Sequence, residues 1–128
     1  MDVQVDVSSR VPIYRQVCDQ IRLAIALGKL EPNDRLPSVR ELSRQIVVNP
    51  NTVARVYTEL EREGVLNTRP GLGVFVAETR SDLTRKARRE KLTEQLNIFL
   101  SGAVHLGLTQ DEVRRAFEEQ MKKFQWKG

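Results

Sequence analysis

Apolar positions in this chain return at strand spacing near its start and at helical spacing over most of the rest. Val3, Val5 and Val7 alternate with polar residues, which predicts a short strand or extended arm. Pro12 opens a helix with Ile13, Val17, Ile21, Ala24 and Ile25 on one stripe, and Gly28 closes it. Glu31-Pro32-Asn33-Asp34 is a turn, with proline suited to its second position and asparagine to a left-handed third. Ser38-Val39-Arg40-Glu41 is a capping box that starts a second helix, whose core face is Val39, Leu42 and Ile46. Asn49 before Pro50 is the cap-then-proline order of a third helix. Val53, Val56, Tyr57 and Leu60 share one side of it, and Gly64 stops it. The β-prone segments Val65 to Arg69 and Val74 to Val76 then flank a Pro70-Gly71-Leu72-Gly73 bend.

Beyond Ala77 the pattern changes. Leu92, Leu96, Phe99, Leu100 and Ala103 form an amphipathic stripe, which Gly102 and Gly107 are expected to break. Thr109 to Glu112 is a second capping box, and its helix carries Val113, Ala116, Phe117, Met121 and Phe124 on one side. Two such helices have too little surface to bury both stripes on each other. A second copy of the segment is the simplest cover, so a homodimer is expected through Leu92, Leu96, Phe99, Leu100, Phe117, Met121 and Phe124. The expected architecture is mainly α with a small β-hairpin. A winged helix-turn-helix spans residues 1–78 and a two-helix dimerisation segment spans residues 79–128.

The third helix carries the candidate chemistry. At about 100° per residue, Asn51, Arg55, Thr58 and Arg62 fall opposite its apolar side. Two guanidiniums, a carboxamide and a hydroxyl can fork onto guanine edges, pair with adenine and reach phosphates. An exposed polar face is also what any surface helix shows. What distinguishes this one is its setting: a helix, a tight turn, the polar-faced helix, then a hairpin where a wing belongs. The amino end of that helix is expected to enter the major groove, with its dipole and free amides favouring phosphate.

These residues also carry a resemblance. Leu36-Pro37-Ser38 with Arg40 and Leu42, then Asn51-Thr52-Val53, Tyr57, Leu60-Glu61, Glu63-Gly64 and Pro70-Gly71-x-Gly73-x-Phe75-Val76, resemble the DNA-binding domain of the GntR family of bacterial transcription regulators. Pro12-Ile13-Tyr14 with Gln16 is similar to that family's first helix. The likeness implies DNA contacts at Arg40, Asn49, Pro50, Asn51, Thr52 and the wing glycine Gly71; helix geometry adds Arg55. Some relatives have a basic wing residue where Leu72 stands, which leaves Arg69 and backbone amides for a wing contact. The short tail resembles the YtrA branch, and this implies dimerisation and control of operons that often encode ABC transporters.

Composition narrows the classes further. The chain has 128 residues and a net charge of +4, mildly basic and compatible with nucleic acid. Arg80 to Lys91 alone holds six cations against two acids, either along DNA phosphates or as a solvated helix start. No hydrolase elbow, P-loop or zinc-protease pattern occurs, so no enzyme and no cofactor are expected. The single His105 and the single Cys18 make no metal site and no internal disulfide. Cys18 is expected as a small buried hydrophobe, Tyr57 as core and Trp126 as cover for the dimer interface. No apolar run reaches membrane-span length and the acidic amino terminus lacks signal-peptide features, so a cytoplasmic protein is expected.

The leading reading is therefore a sequence-specific, double-stranded-DNA-binding regulator, a homodimeric repressor on a palindromic operator. The residues say nothing about an effector. Two other readings use the same face: a winged-helix module for an acidic protein, and a non-specific architectural DNA binder.

Overall fold

The structure is a computed structural model, which describes residues 1–78 and 84–126. The chain divides into two compact units, Met1–Thr79 and Arg80–Gly128.

In the first unit, α1 (Ile13–Ala26), α2 (Val39–Ile46) and α3 (Pro50–Arg62) precede an antiparallel hairpin of β1 (Leu66–Arg69) and β2 (Gly73–Val76). The core joins all five elements through Val17, Cys18, Ile21, Leu42, Val53, Val56, Tyr57, Leu60, Leu66 and Val76. Each of the aliphatic side chains among them contributes about 1.5–3 kcal/mol by leaving water. The expected register of apolar positions is the observed one on α1, α2 and α3. Cys18 sits inside this core, and burial pushes its thiol above the ordinary range.

Two segments outside the regular elements are held by particular bonds. The amino-terminal arm is extended, but no strand pairs with it among the described residues. The Gln20 carboxamide takes the place of a neighbouring strand: it accepts from Gln4 N at 2.9 Å and donates to Gln4 O. Val3 and Val5 pack on the core, whereas Val7 is exposed because the chain turns at Asp6, whose backbone and carboxylate oxygens accept from Ser9 N and Ser8 N. The Glu31–Asp34 turn has Asn33 at φ +72°, the left-handed position anticipated for it. The segment after it runs beside β2, with Leu36 N donating to Val74 O and Val76 N to Asp34 O, both at 2.8 Å. That added edge had no signal in the sequence.

The turn between α2 and α3 contains a strained residue. Val47 adopts φ +54° and ψ +54°, a left-handed conformation that β-branched side chains disfavour. Its side chain is 89% exposed, so packing does not compensate. Val47→Asn, which tolerates this backbone, is expected to raise stability by roughly 0.5–1 kcal/mol. A urea unfolding midpoint that stays in place or falls would count against that account.

The second unit comprises α4 (Arg85–His105) and α5 (Gln110–Met121). Thr84 caps α4 by accepting from Ala87 N, and Thr109 with Glu112 forms the expected capping box on α5. One expectation fails here: Gly102 does not break α4, which continues through it to His105. A lone glycine inside a long helix costs only about 1 kcal/mol. Gly107, at φ +77°, is the residue that stops the helix.

Of the described residues in this unit, only Ala103 is buried. Phe99 and Phe117 lie with ring centroids 6.1 Å apart and remain 45% and 43% exposed. Leu92, Leu100 and Met121 are exposed too, while Leu96 and Phe124 are half-buried. Ile98, Val104 and Leu106, outside the anticipated stripe, add further exposed apolar surface. Trp126 donates from its indole nitrogen to Met121 O at 2.9 Å and tilts against Phe124.

Candidate nucleic-acid interface

The polar face begins with how α2 and α3 are locked together. Glu41 N donates to Ser38 Oγ at 3.0 Å, and Ser38 N returns a longer bond to Glu41 Oε1. Tyr57, on the inner side of α3, donates its hydroxyl to Pro37 O at 2.6 Å, tying α3 to the entry of α2. Burial and then the Glu41 charge push this phenol well above its usual range, so it stays a donor at any physiological pH. Glu61 accepts from Thr68 N and Thr68 Oγ1, which fastens the hairpin to the same helix. Arg22 on α1 makes a two-toothed ion pair with Glu63 just past the end of α3. Three elements thus hold α3 in place while its outer side stays open.

On that outer side Asn51, Arg55, Thr58 and Arg62 are all exposed, as the helical spacing anticipates. They differ in what they touch. Apart from the backbone bond of its own amide, Asn51 has no partner among the described residues. Arg62 is neutralised by Glu59, to which it donates at 2.6 and 2.8 Å. The Arg55 guanidinium lies over the Tyr14 ring of α1, 3.8 Å from the centroid.

The helix start itself differs from the expectation. Free amides were anticipated there, yet none of the first four residues offers one. Pro50 has no N–H, Asn51 N donates to Asn49 Oδ1 at 2.8 Å, and Thr52 N and Val53 N both donate to Asn49 O. Asn49 and Pro50 close the helix end, so hydrogen bonds to an anion there fall to side chains, with the helix dipole as background.

Those side chains extend beyond the recognition helix. Arg40 is exposed on α2, and Arg44, one turn further on, is exposed as well. Together with Ser43, Val47, Val48, Asn49 and Pro50 they line one shallow depression beside the start of α3. Arg44 adds a cation to those the sequence motif names. Its signal was the four-residue step from Arg40, which puts both cations on one side of α2.

The wing is differently built. Gly71 takes φ +76° with open space where a Cβ would stand, so backbone conformation and not crowding calls for glycine. Leu72 is exposed beside it. Arg69 is drawn back from the tip: it donates to Asn33 Oδ1 at 2.7 Å and its guanidinium stacks 4.2 Å from the Phe75 centroid. Arg69 therefore braces the base of the hairpin against the Asn33 turn.

In the basic stretch, Arg80 and Asp82 lie outside the described residues. Arg85, Lys86, Arg88, Arg89 and Lys91 are exposed on the first two turns of α4, with no acid in its first turn. No helix of the described residues is long and apolar enough to cross a membrane.

Comparison with known proteins agrees with this construction. Residues 13–76, from the start of α1 to the end of β2, match the profile of bacterial regulatory proteins of the gntR family. The HTH-type transcriptional repressor YtrA of Bacillus subtilis is 35% identical over 91% of this chain and 90% of its own length, so the likeness includes the tail. The crystal structure of a transcriptional antiterminator from Listeria monocytogenes EGD-e superposes with a TM-score of 0.80 at 30% identity, covering 94% of this chain and 90% of that one. The DNA-binding domain of AraR, crystallised with its operator ORX1, matches 60% of this chain and 99% of its own at a TM-score of 0.54 and 29% identity. With the family profile spanning every element of the first unit and the YtrA repressor matching nearly end to end, this chain belongs to the GntR family of DNA-binding transcriptional regulators, in its YtrA-like branch.

Proposed function

We propose that the protein is a homodimeric repressor that occupies a palindromic operator in the cytoplasm. The observation that carries the proposal is the outward side of α3, where Asn51, Arg55 and Thr58 stand exposed on a helix gripped from three other directions. Asn51, Thr52 and the cations Arg40 and Arg55 supply the chemistry that reads base edges and grips phosphate. Asn49 and Pro50 act by shaping the helix start, and Gly71 by turning the wing. Arg69 acts through the wing's rigidity.

Pairing follows from the second unit. Its apolar stripe through Leu92, Leu96, Phe99, Leu100, Phe117, Met121 and Phe124 is left largely uncovered by one copy, and a second copy covers it symmetrically. A two-fold pair sets its recognition helices one duplex turn apart, ~34 Å, and so calls for an inverted repeat. The name of the Bacillus relative favours repression, and AraR's operator complexes favour duplex DNA as the ligand.

Selection of bound sequences from a random duplex pool tests this directly. An inverted repeat should be enriched, with half-site centres about 10 base pairs apart. Affinity for it should fall steeply with salt and exceed that for random duplex by about 10³ or more. In the selected site, Asn51→Ala should relax the preference at one base pair by about 1–3 kcal/mol. A flat salt response would favour an acidic protein as partner, and equal affinity for all duplexes an architectural role.

A further inference from the structure

We infer that Tyr14 is a positioning residue of the DNA interface: its ring holds the Arg55 guanidinium as a phosphate clamp where α1 meets α3. The inference rests on the DNA-binding reading above and specifies how one residue of that surface works.

The Arg55 guanidinium carbon lies 3.8 Å from the Tyr14 ring centroid. A cation placed over an aromatic face is attracted by the ring's quadrupole, and it keeps its charge. The contact also spends none of its donors, and among the described residues the Arg55 guanidinium donates to no acceptor. The neighbouring arginines show the alternative. Arg62 donates to both oxygens of Glu59, and Arg22 does the same with Glu63. Glu59 stands four residues after Arg55, at ion-pairing distance along the helix, yet Arg62 occupies it. Of these three guanidiniums, Arg55 alone is held by a group that leaves its charge uncancelled.

The ring is a fixed support. Tyr14 is half-buried against the core on the first turn of α1. That turn is fastened in turn by Gln16, whose carboxamide donates to Asp6 O and Val11 O and accepts from Asp6 N. A long exposed side chain is thereby held in one arrangement before any ligand arrives, which lowers the ordering cost of binding.

Direction decides the ligand. Tyr14 belongs to α1, outside the recognition helix, so stacking draws the guanidinium toward the flank of α3. A helix lying in the major groove has base edges beneath it and phosphates along its flanks. The clamp is therefore a backbone contact, which strengthens binding to every duplex alike.

The test is a set of titrations on the selected operator and on random duplex, each over a salt series, with a melting temperature for every variant. Tyr14→Phe should bind like the wild type, because the ring is kept. Arg55→Ala should lose affinity by the same factor on both duplexes and flatten the salt slope by about one. Tyr14→Leu should also lose affinity on both, and adding Arg55→Ala to it should cost much less than in the wild-type background. Undiminished binding by Tyr14→Leu, losses that multiply in the double variant, or an Arg55→Ala defect confined to the operator would each overturn the inference. Failure of the wild type to bind any duplex would instead remove the DNA-binding reading, and this inference with it.

Discussion

Phe99→Asp is expected to leave the protein monomeric and to weaken operator binding by at least about a hundredfold. Phe99 is 45% exposed and packs against Phe117, and both rings line a groove of about 410 Å³ with Leu96, Leu100, Ala103 and Val113. A carboxylate there can stay hydrated in a lone chain but not beneath a second copy, where it would be desolvated without a partner. The loss passes to DNA because two half-sites bound by one pair act with a high effective concentration, worth 10²- to about 10⁴-fold over one alone. Sedimentation equilibrium and an operator titration measure the two effects together. A variant that remains paired, or a monomer that binds as tightly as before, would refute the role assigned to this face.

Leu60→Ala should have the largest effect on stability, about 2–5 kcal/mol. Leu60 is fully buried, and it lies on the side of α3 that meets the rest of the core. Removing its branched end leaves a void between elements already tied by Tyr57, Glu61 and Arg22, so the surroundings can close on it only partly. Small domains have total stabilities of roughly 5–15 kcal/mol, so a loss of this size takes much of the margin. Urea unfolding gives the value directly. Where the variant is still folded its operator affinity should be nearly unchanged, since Leu60 is fully buried and Asn51, Arg55 and Thr58 are exposed. A large affinity defect in fully folded protein would mean that α3 had shifted.

What could be read before the structure was the part governed by periodicity and local capping. Val53, Val56, Tyr57 and Leu60 announce the buried side of α3 by spacing alone, and Ser38 with Glu41 announces the start of α2. Asn33 announces a left-handed turn because few other side chains accept one. Gly102 reads as a break only in isolation: a propensity is a small bias, and the continuing helix outweighs it. The added edge beside β2, the Gln20 clasp on the arm and the Arg69 brace are long-range bonds between segments, which no local window contains. The same holds for the candidate interface. Spacing found Asn51 and Arg55, but the Tyr14 ring beneath Arg55 comes from a helix some forty residues earlier.

The closed start of α3 has a consequence for how such a protein diversifies. Asn49 and Pro50 complete the helix end with the chain's own atoms, so folding asks nothing of the Asn51 and Thr58 side chains. Exchanges at those two places alter what is presented to a duplex while the scaffold's stability is left alone. A lineage built on this frame can wander from one target word to another by single steps, each intermediate folding as well as the last.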